Sequence, residues 1–255
     1  MQETTHHHIG LIGTGVIGSA VITNLAKKGN QIWVSKRNAE TSKQLVRHFD
    51  HVHVGENQDV IDQSDILFIA LPGGMAKEAL SGLRFRSNQV VFSMMADIDL
   101  NTLSAWVSPA KAAAIVIPFP QIAHGNSPIL TLGDQTLLKR LFGATETIIP
   151  LDTPQELLVF LSAQAVLSAA AVLIAQAATW AGEKTGQRNK AEAFLRRLIA
   201  SSLSGLSSDD LITALNTPGG YNQRLRQHFE YHGFHDLIKI GLNALHDPQK
   251  EDELH

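Results

Sequence analysis

Six residues near the start of the chain, Gly13-Thr14-Gly15-Val16-Ile17-Gly18, narrow the possible folds more than any other segment. They follow an apolar run, His8 to Ile12, and open a stretch from Val16 to Lys28 with apolar residues at helical spacing. Between a strand and a helix, each glycine of such a triplet has its own task. The first permits a tight turn, the second lets backbone approach a pyrophosphate, and the third allows close packing of helix on strand. The helix start adds unpaired N–H groups for an anion. Alone the pattern is a common turn; in this context it predicts a dinucleotide-binding βαβ unit.

Downstream, short apolar runs continue to alternate with helical stretches. Strands are expected at Gln31 to Ser35, His51 to Val54, Asp65 to Leu71, Gln89 to Ser93 and Ala112 to Ile117, with helices over Ala39 to Phe49 and Asn57 to Gln63. Continuous apolar strands separated by helices indicate a parallel sheet covered on both faces. After Pro150 no strand signal returns. Helices are expected over Gln155–Gly182, Lys190–Ser204, Asp209–Leu215, Gly220–Tyr231 and Phe234–Leu245, with Thr153 capping and Pro154 opening the first. The fold class is therefore α/β: an N-terminal Rossmann-type doubly wound sheet, residues 1–151, followed by an all-α domain, residues 152–255.

Composition removes several functional classes. Lys plus Arg number 21 against 24 Asp plus Glu, a net charge of −3, so there is no basic excess to meet nucleic acid. The chain has no cysteine, which excludes disulfide scaffolds, thiolate metal sites and cysteine nucleophiles. The start, with its His6-His7-His8 run, carries no secretory pattern, so the cytoplasm is the expected location. Leu157 to Ala181 lacks charge, yet Ser162, Gln164, Ser168, Gln176 and Thr179 interrupt it and small residues such as Ala165, Ala169 and Ala171 invite a packed helix. A buried or interface helix is expected there, not a membrane span.

The end of the second strand selects the nucleotide. An NAD site places Asp or Glu there, roughly 20 residues beyond the loop. This chain has Ser35-Lys36-Arg37-Asn38 and no acid until Glu40. A hydroxyl and two cations suit a 2′-phosphate, with Arg37 able to bind it bidentately. NADP(H) is the expected cofactor.

Thr217-Pro218-Gly219-Gly220, ahead of a helix near the chain end, resembles the late signature of the pyrroline-5-carboxylate reductases. The resemblance extends over nearly the whole chain. The glycine loop corresponds in type and position, Asn57 sits where the family places an adenosine-side asparagine, and Val91 to Ala96 looks like its fifth strand and following turn. Leu141-Phe142-Gly143 before Glu146–Ile149 is similar to its closing segment. It implies an intertwined homodimer through the C-terminal helices. Together, the loop, the second strand's end and this resemblance give a cofactor set of Gly13, Thr14, Gly15, Val16, Ile17, Ser35, Lys36, Arg37, Asn57, Ala70, Leu71 and Pro72, with substrate contacts at Thr217, Gly219 and Gly220. Departures cluster where substrate binds. The family's Pro-Asn-Thr-Pro is Pro118-Phe119-Pro120-Gln121, its Lys-Pro after the fourth strand is Pro72-Gly73, and its paired threonines are Tyr221-Asn222. A relative reducing another cyclic imine is implied as readily as one that makes proline.

Reduction of a C=N bond asks for positioning and a proton for nitrogen. Tyr221, at a helix start after a glycine pair, is the candidate donor, and Asn222 can hydrogen-bond the substrate. Free N–H groups of Gly219 and Gly220 are expected to hold a carboxylate. His124, on a loop expected near the carboxyl ends of the strands, is a second candidate acid. His228 and His232 share a helix face but form no H-E-x-x-H, and no metal site is expected. Two other readings stay open: a nonenzymatic NADP(H) sensor or scaffold, and a β-hydroxyacid dehydrogenase. The missing lysine in Leu157–Ala181 counts against the dehydrogenase.

Overall fold

The computed structural model describes residues 7–36 and 39–247. The chain divides into two compact units, Met1–Leu157 and Leu158–His255. In the first, strands β1 (His8–Ile12), β2 (Gln31–Ser35), β3 (Val52–Gly55), β4 (Ile66–Ile69), β5 (Val90–Ser93), β6 (Lys111–Pro118), β7 (Pro128–Gly133) and β8 (Thr147–Leu151) form one sheet. Its order is β3-β2-β1-β4-β5-β6-β7-β8. Helices α1 (Val16–Ala26), α2 (Ala39–His48), α3 (Asn57–Asp62), α4 (Gly73–Leu80), α5 (Leu100–Val107) and α6 (Thr136–Phe142) separate the strands.

Both faces of the sheet are covered, which is why its strands read as unbroken apolar runs. Ile9, Leu11, Val34, Phe68 and Phe92 enter one core with Val21 and Leu25 of α1 and Phe142 of α6. Ile12, Leu67, Ile69 and Val91 enter the other with Ile61, Leu80 and Leu103. His8 begins β1 and the His7 N–H donates to Asn30 Oδ1 at 3.2 Å, so these two histidines belong to the fold. His6 lies outside the described residues.

One pairing departs from the expected parallel order: β7 runs antiparallel to β6, with Pro118 opposite Ile129. A parallel return needs a crossover of a dozen or more residues. Between Pro118 and Pro128 there is only a loop holding a 3₁₀ turn, Pro120–His124, so the chain reverses. Buried Glu146 secures this corner by accepting from Asn24 Nδ2 at 2.9 Å and from the Ser127 N–H at 2.7 Å.

Helices α7 (Pro154–Ala163), α8 (Val166–Thr185), α9 (Arg188–Leu203), α10 (Ser208–Ala214), α11 (Tyr221–Tyr231) and α12 (Phe234–His246) follow. Pro154 opens α7, and Thr153 caps it by accepting the Glu156 N–H at 3.1 Å. The single helix expected over Gln155–Gly182 is two. At the break the ladder tightens, Ala165 N–H bonding to Ser162 O and Leu167 N–H to Gln164 O. Pro154–Thr185 as a whole is long and apolar enough to cross a membrane by length and composition. Among the described residues of the second unit only Ala178 and Ala244 are buried, while Leu167, Trp180, Phe194 and Leu203 stand open.

Candidate active site

Ligands in open α/β sheets bind beyond the carboxyl ends of the strands, where the strand order reverses. Here that point lies between β1 and β4. The glycine loop leaves β1 there, and its three glycines separate by what surrounds them. Gly13 has φ +103°, and a Cβ on it would stand 2.2 Å from the Ala70 carbonyl oxygen. A Cβ on Gly18 would stand 2.4 Å from the Gly13 carbonyl oxygen. Packing alone requires both. Around a Cβ on Gly15 there is nothing within 4 Å. No packing contact among the described residues asks for glycine at that position, whereas a ligand drawn onto the backbone would. The first helical bond, Ser19 N–H to Gly15 O, leaves the N–H groups of Val16 and Ile17 ahead of the ladder, and Val16 is 74% exposed.

Polar side chains hold the loop from beneath. Ser35 is buried, and its Oγ accepts the Gly13 N–H at 3.0 Å. The hydroxyl expected to meet a 2′-phosphate is thus committed to shaping the loop. Ser42 of α2 donates to the Ser35 carbonyl at 3.0 Å and lies 3.2 Å from the buried Thr14 hydroxyl. Ser42 escapes a sequence reading, because its partner sits seven residues back across a strand-to-helix turn.

At the tip of β2, Lys36 is exposed and ion-paired with Glu56. The chain has no acid between Ser35 and Glu40, so this partner comes from the end of another strand. The register of β3 on β2 sets Gly55 beside Ser35 and so delivers Glu56 to Lys36. Arg37 lies outside the described residues. Lys36 also lines a groove of about 550 Å³ with Lys43 and Arg47 of α2 and Val52 to Val54 of β3. Three cations on one groove favour an anion.

On the other side of the switch point, Ala70 and Leu71 lie directly under Gly13, and Pro72 precedes α4. Asn57 is the first residue of α3, half-buried, with its Nδ2 3.5 Å from Ala79 O. Asp97, beyond β5, belongs to no motif in the sequence; its Oδ2 lies 1.9 Å from where a Gly73 Cβ would be. Only glycine lets that carboxylate settle against the start of α4.

His124 is not brought to the glycine loop. Its 3₁₀ turn is fastened to the far end of α1, where Asn24 Nδ2 donates to Ile122 O and Lys27 Nζ to Ala123 O, each at 2.8 Å. In the second unit, Gly219 has φ +74° and its N–H donates to Gln223 Oε1 at 2.8 Å. The Gly220 N–H bonds to Thr217 O at 2.9 Å. The two N–H groups expected to be free for a carboxylate are therefore already used, because the turn closes on itself and a glutamine reaches back over it. Tyr221, at the first position of α11, is 90% exposed. Asn222 borders a groove of about 310 Å³ with Leu225, Arg226, Phe229 and Phe234. Among the described residues no group of three or more His, Cys, Asp or Glu is placed to hold a metal ion.

The family described as NADP oxidoreductase, coenzyme F420-dependent, matches residues 8–97, which run from β1 past β5. No curated protein sequence matches the chain significantly. Solved structures match along nearly its whole length. The pyrroline-5-carboxylate reductase of Streptococcus pyogenes is 20% identical with a TM-score of 0.79, over 95% of this chain and 98% of that one. The NADP-bound pyrroline carboxylate reductase of Plasmodium falciparum is 13% identical with a TM-score of 0.77, over 97% and 98%. An imine reductase from a Pseudomonas species is 14% identical with a TM-score of 0.62, over 98% and 100%. The fold is that of the pyrroline-5-carboxylate reductases, as the sequence resemblance implies.

Proposed function

We propose that the protein is an NADPH-dependent reductase that delivers hydride to the C=N bond of a cyclic imine, and that it works as a homodimer. Gly15 carries the cofactor part of this reading: a glycine that packing does not need, at an exposed helix start on the switch point. The NADP bound by the Plasmodium falciparum relative supports it. Gly15 and the N–H groups of Val16 and Ile17 would receive the pyrophosphate. Lys36 and Arg37 would hold the 2′-phosphate, Lys36 giving up Glu56 to do so. Asn57 would face the adenosine, and Ala70, Leu71 and Pro72 the nicotinamide half. Bound NADPH supplies the hydride; the chain orients the reactants and keeps water out.

With the Gly219 and Gly220 N–H groups committed to their own turn, contacts from that segment fall to the side chains of Thr217, Tyr221 and Asn222. Tyr221 would give the nitrogen its proton and Asn222 would hold the ring in place. A second copy would cover the open apolar face of α8 and α9. The small residues along α8, which let another helix come close, favour protein over lipid there.

Steady-state NADPH consumption against a panel of cyclic imines tests the reading. Saturable consumption with at least one imine is expected, and Tyr221→Phe should lower kcat by about 100-fold. His124→Ala should leave kcat unchanged. Tight NADPH binding with no imine consumed would end the enzymatic reading and favour a cofactor sensor.

A further inference from the structure

Resting on that reading, we infer that the substrate is an imine whose ring carries no carboxylate, turned over as its iminium cation, with Asp97 as the opposing charge. The loops that follow β4, β5 and β6 carry Ala70, Leu71, Met75, Met94, Phe119 and Asp97. Residues 70–76, 94–99 and 118–121 contain no Lys, Arg or His, and their only charges are Asp97 and Asp99. Asp99 is spent on capping α5, accepting the Thr102 N–H at 2.9 Å and its hydroxyl at 2.7 Å. Asp97 is exposed and has the room at Gly73 described above.

The start of α4 is the nearest source of backbone donors, and the Asp97 carboxylate already stands against it at Gly73. Pro118 and Pro120 have no N–H to offer an anion. In the second unit the N–H groups of Gly219 and Gly220 are taken. A substrate carboxylate entering this edge of the sheet would lose water, find no cation on these loops, and meet Asp97. A positively charged iminium would meet loops without a cation and one carboxylate, a setting that favours its charged form. The reaction balances without further groups. Tyr221 gives the nitrogen its proton and is reprotonated from water, the hydride adds to the carbon of the iminium so formed, the C=N π pair becomes the nitrogen lone pair, and NADPH leaves as NADP⁺.

The test compares kcat/KM of the intact protein with NADPH for 2-methyl-1-pyrroline and for 1-pyrroline-2-carboxylate, the same ring with a carboxylate in place of the methyl group. The uncharged ring should be favoured at least about tenfold, and Asp97→Asn should narrow that ratio about threefold through KM at an unchanged melting temperature. Equal or better use of the carboxylated ring, or a ratio untouched by Asp97→Asn, overturns the inference and leaves imine reduction standing. Turnover of neither ring overturns both.

Discussion

In the first unit Phe68, Phe92 and Phe142 are sealed inside, with Phe68 and Phe92 stacked at 5.3 Å between centroids; in the second, Trp180, Phe194 and Leu203 stand open to solvent. The apolar content of the two sequences is similar, and the difference is topological. A sheet with helices on both faces supplies two inner surfaces, each closed by the same chain. Helices with no sheet behind them leave their apolar stripes facing outward, and so large an open surface marks a site of association. The first unit holds the features of a cofactor site on a core complete in itself. The second is built to be completed by something else, and a second copy of the chain is the proposed partner.

Truncating the sealed core should have the largest effect. Phe92→Ala is expected to cost about 3–5 kcal/mol, read as a drop in unfolding midpoint that does not depend on protein concentration. Gly15→Val separates binding from folding within the same unit. A Cβ there meets no described protein atom, so the melting temperature should fall only slightly, through the poorer helix cap, while NADPH binding weakens by about 100-fold, or roughly 2.7 kcal/mol. An equal loss of stability would show that packing, not a ligand, claims Gly15. In the second unit Phe194→Ala should weaken self-association by about thirtyfold, or roughly 2 kcal/mol, in sedimentation runs over a concentration series. A concentration-independent loss of stability would erase the contrast between the units.

Smaller effects sharpen the cofactor end. Arg37→Ala should weaken NADPH about tenfold and leave NADH nearly unchanged; equal losses would remove the 2′-phosphate from the account. Glu56→Gln, by freeing Lys36, should tighten NADPH modestly. The smallest effect is on pH dependence. The Thr102 N–H, and then its hydroxyl, hold Asp99 below its ordinary carboxylate value of 3.8. A group lowered on folding adds stability above its unfolded pKa and loses it as pH falls through the folded value. Asp99→Asn keeps a capping side chain, so acid titration followed by circular dichroism should show a slightly shallower loss below about pH 4.

Most of the first unit could be read from its sequence because local signals and fold agree there: glycines between strand and helix, then unbroken apolar runs. The antiparallel β7 was hidden because antiparallel strands need no distinctive spacing, only a return too short for a crossover. The site was legible less evenly. The loop glycines stand where expected, but a string of letters does not say which of them packing needs; the open space at Gly15 does. Glu56 reaches Lys36 through strand register, and Gln223 takes the Gly219 N–H through a turn, both invisible to motif matching. A hydroxyl at a strand end suits phosphate, yet burial turns that of Ser35 to the loop instead. The break at Gln164–Ala165 leaves no mark in composition, since both flanks are good helix formers.

Hydride transfer is the step on which the account stands. The most direct measurement is the isotope content of the amine formed when the protein is given 2-methyl-1-pyrroline and NADPH deuterated at both positions of nicotinamide C4. One deuterium is expected on the former imine carbon, formed at a rate that Gly15→Val lowers about 100-fold at limiting NADPH. No amine, or amine without deuterium, would contradict it.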